Sequence, residues 1–142
     1  MHNIAHVHIG YKTMRDLVKA MKALSDETRL RTLSLLLERE CCVCEMMRAL
    51  DISQSKASRS LSALYDAGFL RLRRDGTWAF YSIDETKEFY PELIGGVRKA
   101  LEGNKIVEAD RDRLRKAERL GPGCAQSVKN DPSRQLSANS LI

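Results

Sequence analysis

Three of the four cysteines in this 142-residue chain fall within four consecutive positions, in Glu40-Cys41-Cys42-Val43-Cys44-Glu45, and the fourth, Cys124, lies far downstream. Thiolates are soft donors that suit zinc, cadmium, lead and copper(I), and at a helix start their lowered pKa also suits redox chemistry. A free cysteine is often only a small core residue. Three in four positions at the head of a helical stretch are harder to explain that way. The chain carries a net charge of +5, which leans toward a polyanionic partner. It has no apolar signal core and no apolar run of membrane-spanning length, so a cytoplasmic protein with reduced thiols and no membrane partner is expected. In that setting the cluster reads as metal-binding or redox-active sooner than as a disulfide framework. The Cys-x-x-Cys spacing of Cys41 and Cys44 would suit a thiol oxidoreductase only beside a βαβ pattern. The chain offers none, and no enzyme is expected. His2, His6 and His8 sit in a start without periodicity and are expected to bind metal only adventitiously.

The elements that must position these thiols follow from the periodicity. Residues 1–11 read as a flexible N-terminus. Met14, Leu17, Val18, Met21 and Leu24 then mark an amphipathic helix. Ser25 or Asp26 caps a second helix, with Leu30, Leu33, Leu36 and Leu37 inward and an end near Glu38–Glu40. A short third helix spans 43–50, Asp51-Ile52-Ser53 makes a turn, and Ser53 caps a fourth helix that runs to about Ala67 before Gly68. The period then changes. Phe69–Arg73 alternates, Arg74-Asp75-Gly76-Thr77 turns, and Trp78–Ile83 runs back as a second strand, a β-hairpin. Asp84 can cap a fifth helix over about Glu85–Leu101, with Phe89, Leu93, Ile94, Val97 and Leu101 in a broad stripe suited to a second subunit. Residues 105–120 can form another charged helix, and the Ser-, Asn- and Gln-rich stretch from Cys124 to Ile142 reads as a flexible tail.

The expected fold is therefore mainly α with a β-hairpin wing, a winged helix-turn-helix (α+β) that dimerises through its terminal helices. Its organisation is a flexible 1–11, a DNA-binding and dimerisation domain over 12–102, and a charged helix with a tail over 103–142. In such a fold the second helix of the motif enters the major groove with its N-terminal residues against the bases. Here those residues are Gln54, Ser55, Lys56, Ser58 and Arg59. Gln and Arg suit bidentate base contacts, whereas Lys and Ser serve phosphates equally well. Arg71, Arg73 and Arg74 on the hairpin are placed to reach the flanking backbone. Tyr81 and Trp78 are expected to pack the wing against the core.

Four segments together resemble the ArsR/SmtB family of metal-responsive repressors. They are Leu24-Ser25-Asp26-Glu27-Thr28-Arg29-Leu30-Arg31, the cysteine segment, Ile52-Ser53-Gln54-Ser55-Lys56-Ala57-Ser58-Arg59-Ser60-Leu61 and Asp66-Ala67-Gly68-Phe69-Leu70. The Cys42-Val43-Cys44 run resembles the signature of the arsenic-responsive branch. The resemblance implies a homodimer on palindromic double-stranded operator DNA that lets go when As(III) or Sb(III) binds, derepressing resistance genes. Two departures stand out. The position of that branch's third cysteine holds Met47, and Glu85–Leu101 contains no His for the zinc site found elsewhere in the family. Residues 1–40 contain no cysteine either, which excludes the N-terminal variant of the site.

As(III) prefers three thiolates in a pyramid, and other thiophilic metals accept similar donors. The expected set is Cys42 and Cys44 with Cys41 or Cys124 as the third. Positions i and i+2 lie on opposite sides of a regular helix. Gathering both on one ion is therefore expected to distort the start of the third helix and favour a dimer that docks poorly on DNA. Two other readings share the fold. One is a redox-sensing repressor in which Cys41 or Cys42 pairs with Cys44 or Cys124. The other is a structural zinc module that uses all four cysteines.

Overall fold

A computed structural model describes residues 13–86 and 90–118. Their order is α1 (Met14–Leu24), α2 (Glu27–Leu36), β1 (Cys41–Cys42), α3 (Val43–Leu50), α4 (Gln54–Asp66), β2 (Leu70–Asp75), β3 (Trp78–Ile83), α5 (Tyr90–Ala100) and α6 (Lys105–Glu118). Residues 1–11, Cys124 and the tail fall outside the described residues.

Local chemistry starts each helix of the reading unit. The Asp26 carboxylate accepts from the Arg29 amide at 2.9 Å and caps α2. The Ser53 hydroxyl accepts from the Lys56 amide at 3.2 Å and caps α4. Both satisfy donors that a helix N-terminus leaves without partners. Between α3 and α4, Asp51 closes the turn with φ 55°, a left-handed conformation that Asp tolerates better than most residues. The predicted boundaries of α3 hold, and α4 ends one residue earlier than expected.

The apolar stripes meet in one core. Leu33 and Leu35 of α2, Met46 of α3, Leu61 and Leu64 of α4 and Phe69 before β2 are all fully buried. Leu35, absent from the expected inward set, belongs to that core, while Leu30 is only half-buried. β2 and β3 pair antiparallel, from Leu70 opposite Ile83 to Asp75 opposite Trp78, so the loop of the wing is Gly76-Thr77. A third strand was not expected. β1 pairs antiparallel with β3, Cys41 opposite Tyr81 and Cys42 opposite Phe80, giving the order β1-β3-β2.

Two other expectations change, and the α1 stripe gains an orientation. Met14, Leu17, Val18 and Met21 face outward, Met14 76% and Met21 51% exposed, while Ala20, Ala23 and Leu24 meet the core. Small side chains let α1 lie close and leave its large ones uncovered. The start of the fifth helix also shifts. Glu85 and Thr86 form a turn, in which the Asp84 carboxylate accepts from the Thr86 amide at 3.0 Å and its hydroxyl at 2.6 Å, and α5 is described from Tyr90. Finally, α6 is part of the fold. It packs Val107, Asp110, Leu114 and Ala117 inward against α2 and α3. Asp110, 1% exposed, accepts both nitrogens of a forked contact from Arg31, at 2.7 and 2.8 Å, and one from Arg113 at 2.6 Å. Arg113 also donates to the Ala49 carbonyl at 2.6 Å. That bond fastens α6 to the last turn of α3.

Candidate functional site

Cys42 is the pivot of the thiol cluster. Its backbone is extended (φ −95°, ψ 171°), which places it on β1 and at the N-cap of α3 at once. Cys44 follows two residues on, in the first turn of the helix. Because Cys42 lies outside the helix, the two side chains are not forced to opposite sides, and their sulfurs are 3.7 Å apart. The expected distortion of α3 is therefore unnecessary for bringing the pair together. Two thiolates on one tetrahedral ion with metal–sulfur bonds of about 2.3 Å lie about 3.8 Å apart. The pair is spaced for a single thiophilic ion.

Alternation along β1 sends Cys41 the other way. Its side chain is fully buried in the main core, with the thiol directed at the Arg39 carbonyl at 3.4 Å. Cys42 and Cys44 instead form a small separate cluster with Trp78 and Phe80 of the wing. Cys41 and Cys42 are outside any disulfide, whereas Cys44 is disulfide-bonded and requires reduction before it can act as a thiolate. Among the described residues no third His, Cys, Asp or Glu joins the pair in a metal-binding group.

Charged groups surround the pair. The Glu45 carboxylate accepts from the Cys42 amide at 3.1 Å and, with the Glu45 amide facing the Cys42 sulfur, completes a capping box. Its other oxygen meets Arg39 at 2.5 Å. Burial pushes the Cys42 thiol above its ordinary value; the Glu45 and Cys44 amides oppose that shift, while the Glu45 carboxylate adds to it. Just before β1, Glu40 accepts two bonds from Arg73 of β2, at 2.6 and 3.2 Å. Arg73 holds the Glu40 carboxyl below its usual value, and the same guanidinium lies 4.6 Å above the centre of the Phe80 ring. Phe80 in turn stacks on Trp78, with ring centres 6.3 Å apart and planes 20° off parallel.

The surface predicted to read DNA is open. Gln54, Ser55, Lys56 and Arg59 are exposed at the start of α4 and Ser58 is half-buried, while Ala57 and Leu61 face the core. Arg71 and Arg74 project from the wing. Arg73 is also exposed, but its guanidinium is engaged by Glu40 and Phe80. Tyr81 packs against the main core and Trp78 against the thiols.

The sequence reading missed β1, the aromatic roof over the thiols, and the Glu40–Arg73 pair. A signal for the roof was present. Trp78 and Phe80 sit two apart on a predicted strand, so they share one face, and two large rings on one face of a wing require cover.

Comparison with known proteins places these features. Residues 26–71 match the bacterial regulatory proteins of the arsR family. The chain is 42% identical over 94 residues to the arsenic resistance transcriptional regulator ArsR1 of Pseudomonas putida, covering 66% of this chain and 67% of the relative. It is 45% identical over 67 residues to the arsenical resistance operon repressor of Escherichia coli, covering 46% and 57%. Among solved structures, it resembles the homodimeric winged helix-turn-helix DNA-binding domain of a possible ArsR-family regulator of Mycobacterium bovis. That match has 25% identity and a TM-score of 0.54, and covers 74% of this chain and 91% of the other.

Proposed function

The chain belongs to the arsR family of bacterial regulatory proteins, and from that premise we propose that it is a homodimeric, cytoplasmic repressor of arsenical-resistance genes, released from its operator by As(III) or Sb(III). The observation that carries this reading is the 3.7 Å separation of Cys42 and Cys44 at the head of the helix-turn-helix. The names of the relatives from Pseudomonas putida and Escherichia coli support the arsenical assignment.

Once a cellular dithiol has reduced the Cys44 disulfide, each thiol gives up its proton and replaces one hydroxyl of arsenous acid, which leaves as water. Three such exchanges fill the valence of the metalloid. Cys42 and Cys44 supply two donors. Cys41 faces the other side of β1, so the third falls to Cys124, from the same subunit or its partner. The uncovered Met14, Leu17, Val18 and Met21 on α1 supply an apolar face for dimerisation, in keeping with the homodimeric neighbour. In the dimer, Gln54, Ser55, Lys56, Ser58 and Arg59 of each α4 enter successive major grooves, while Arg71 and Arg74 meet phosphates.

The test is fluorescence anisotropy of reduced protein on DNA from upstream of its own gene, titrated with arsenite. Wild type is expected to lose more than tenfold in affinity. Cys42→Ser and Cys44→Ser should bind DNA normally and ignore arsenite, and Cys124→Ser should respond weakly. Insensitivity of the wild type to arsenite would refute the proposal. A second reading has one observation in its favour, the disulfide at Cys44. A redox-controlled repressor would release DNA on oxidation without arsenite and rebind after dithiothreitol.

A further inference from the structure

Cys42 and Cys44 are 5% and 6% exposed, roofed by Trp78 and Phe80. With so little of either cysteine exposed, an ion that enters between the sulfurs is expected to displace a ring. Phe80 is not free to move alone. Its backbone pairs with Cys42 on one side and Arg73 on the other, and its face carries the Arg73 guanidinium. Arg73 in turn is tied by two hydrogen bonds to Glu40, the residue that leads into β1. Thiols, ring, guanidinium and carboxylate thus form a closed circuit joining the base of α3 to the middle of the wing.

We infer that Glu40, Arg73 and Phe80 are the link through which occupancy of the thiol pair is passed to the wing. Resting on the reading of Cys42 and Cys44 as the inducer site, this adds the part that moves. Filling the site shifts Phe80, removes the aromatic face beneath Arg73 and weakens its hold on Glu40. Strand β2, with Arg71 and Arg74 on either side of Arg73, then swings from its DNA-bound position. Arg73 is a positioning residue and not a phosphate contact. The opposite end of α3, where Arg113 holds the Ala49 carbonyl and Leu50 is buried, stays in place. Release therefore proceeds through the wing before the reading helix.

The experiment uses the full chain, fully reduced, and reads two signals. Trp78, the chain's one tryptophan, reports arsenite binding by its emission, and anisotropy reports DNA affinity with and without arsenite. Glu40→Gln keeps the side-chain shape and removes the charge that holds Arg73. It is expected to bind arsenite as wild type does, to bind DNA without arsenite about as weakly as wild type does with it, and to lose less than threefold further in DNA affinity on arsenite. Glu40→Asp, which keeps the charge, should recover most of the release, and the melting temperatures of both variants should stay near wild type. Full arsenite-driven release from Glu40→Gln overturns the inference and leaves the inducer site standing. A wild type whose Trp78 emission and DNA affinity both ignore arsenite overturns the site and the link together.

Discussion

The two ends of α3 are held in different ways. At the C-terminal end, the Ala49 carbonyl is gripped by Arg113, which shares the buried Asp110 carboxylate with Arg31. At the N-terminal end, the capping box of Cys42 and Glu45 faces the wing, and the tie to that wing is an exposed ion pair, Glu40 with Arg73. A buried carboxylate forked by two guanidiniums is costly to disturb, because removing one partner strands charge away from water. An exposed pair is shared with solvent and readily exchanged for water. The difference separates a fixed end from a responsive one, on a helix of only eight residues.

Deleting the fixed end should have the largest effect. Asp110→Ala leaves Arg31 and Arg113 facing an uncompensated cavity, and is expected to cost about 3 kcal/mol in urea-induced unfolding. A loss below about 1 kcal/mol would erase the contrast between the two ends. Next, Arg59→Ala should weaken operator binding by about 1–3 kcal/mol if Arg59 makes a bidentate base contact. On the proposed route of release through the wing, that loss should be the same with and without arsenite. An arsenite response that shrinks with Arg59 would shift the moving part from wing to reading helix.

The smallest effect concerns pH. Cys42 has its folded-state pKa raised above the ordinary thiol value, chiefly by burial. The unfolded chain therefore loses that proton first as pH rises. The stabilising contribution is complete below the unfolded thiol value and disappears as pH climbs through the folded one. Thermal midpoints should fall more steeply above that value in reduced wild type than in Cys42→Ser. Equal alkaline slopes would remove burial as a constraint on the responsive end.

Much of this was written in short-range chemistry. Asp26 and Ser53 declare helix starts, Gly68 and the Gly76 turn declare ends, and the alternation from Phe69 to Ile83 declares the wing. The stripe on α1 was legible as amphipathic, but periodicity does not distinguish a face meant for the core from one left for another molecule. Only the packing of Ala20 and Ala23 decides that. The thiol geometry was hidden for a different reason. A two-residue strand has no periodic signature, so Cys42 read as part of a helix, when its extended backbone is what brings its sulfur to that of Cys44. Asp110 was hidden too, because a carboxylate in a charged helix looks solvated until two arginines from separate segments converge on it.

The brevity of β1 has a further consequence. It covers β3 only opposite Phe80 and Tyr81, on the side of the sheet away from the cationic edge formed by Arg71, Arg73 and Arg74. β3 itself, Trp78-Ala79-Phe80-Tyr81-Ser82-Ile83, carries no charge. An uncharged strand rich in aromatic and β-branched residues is a template for pairing with other chains once its amides are uncovered. Two residues of β1 are thus also a guard against self-association, and any event that pulls Cys41 and Cys42 off the sheet exposes the most aggregation-prone segment of the wing.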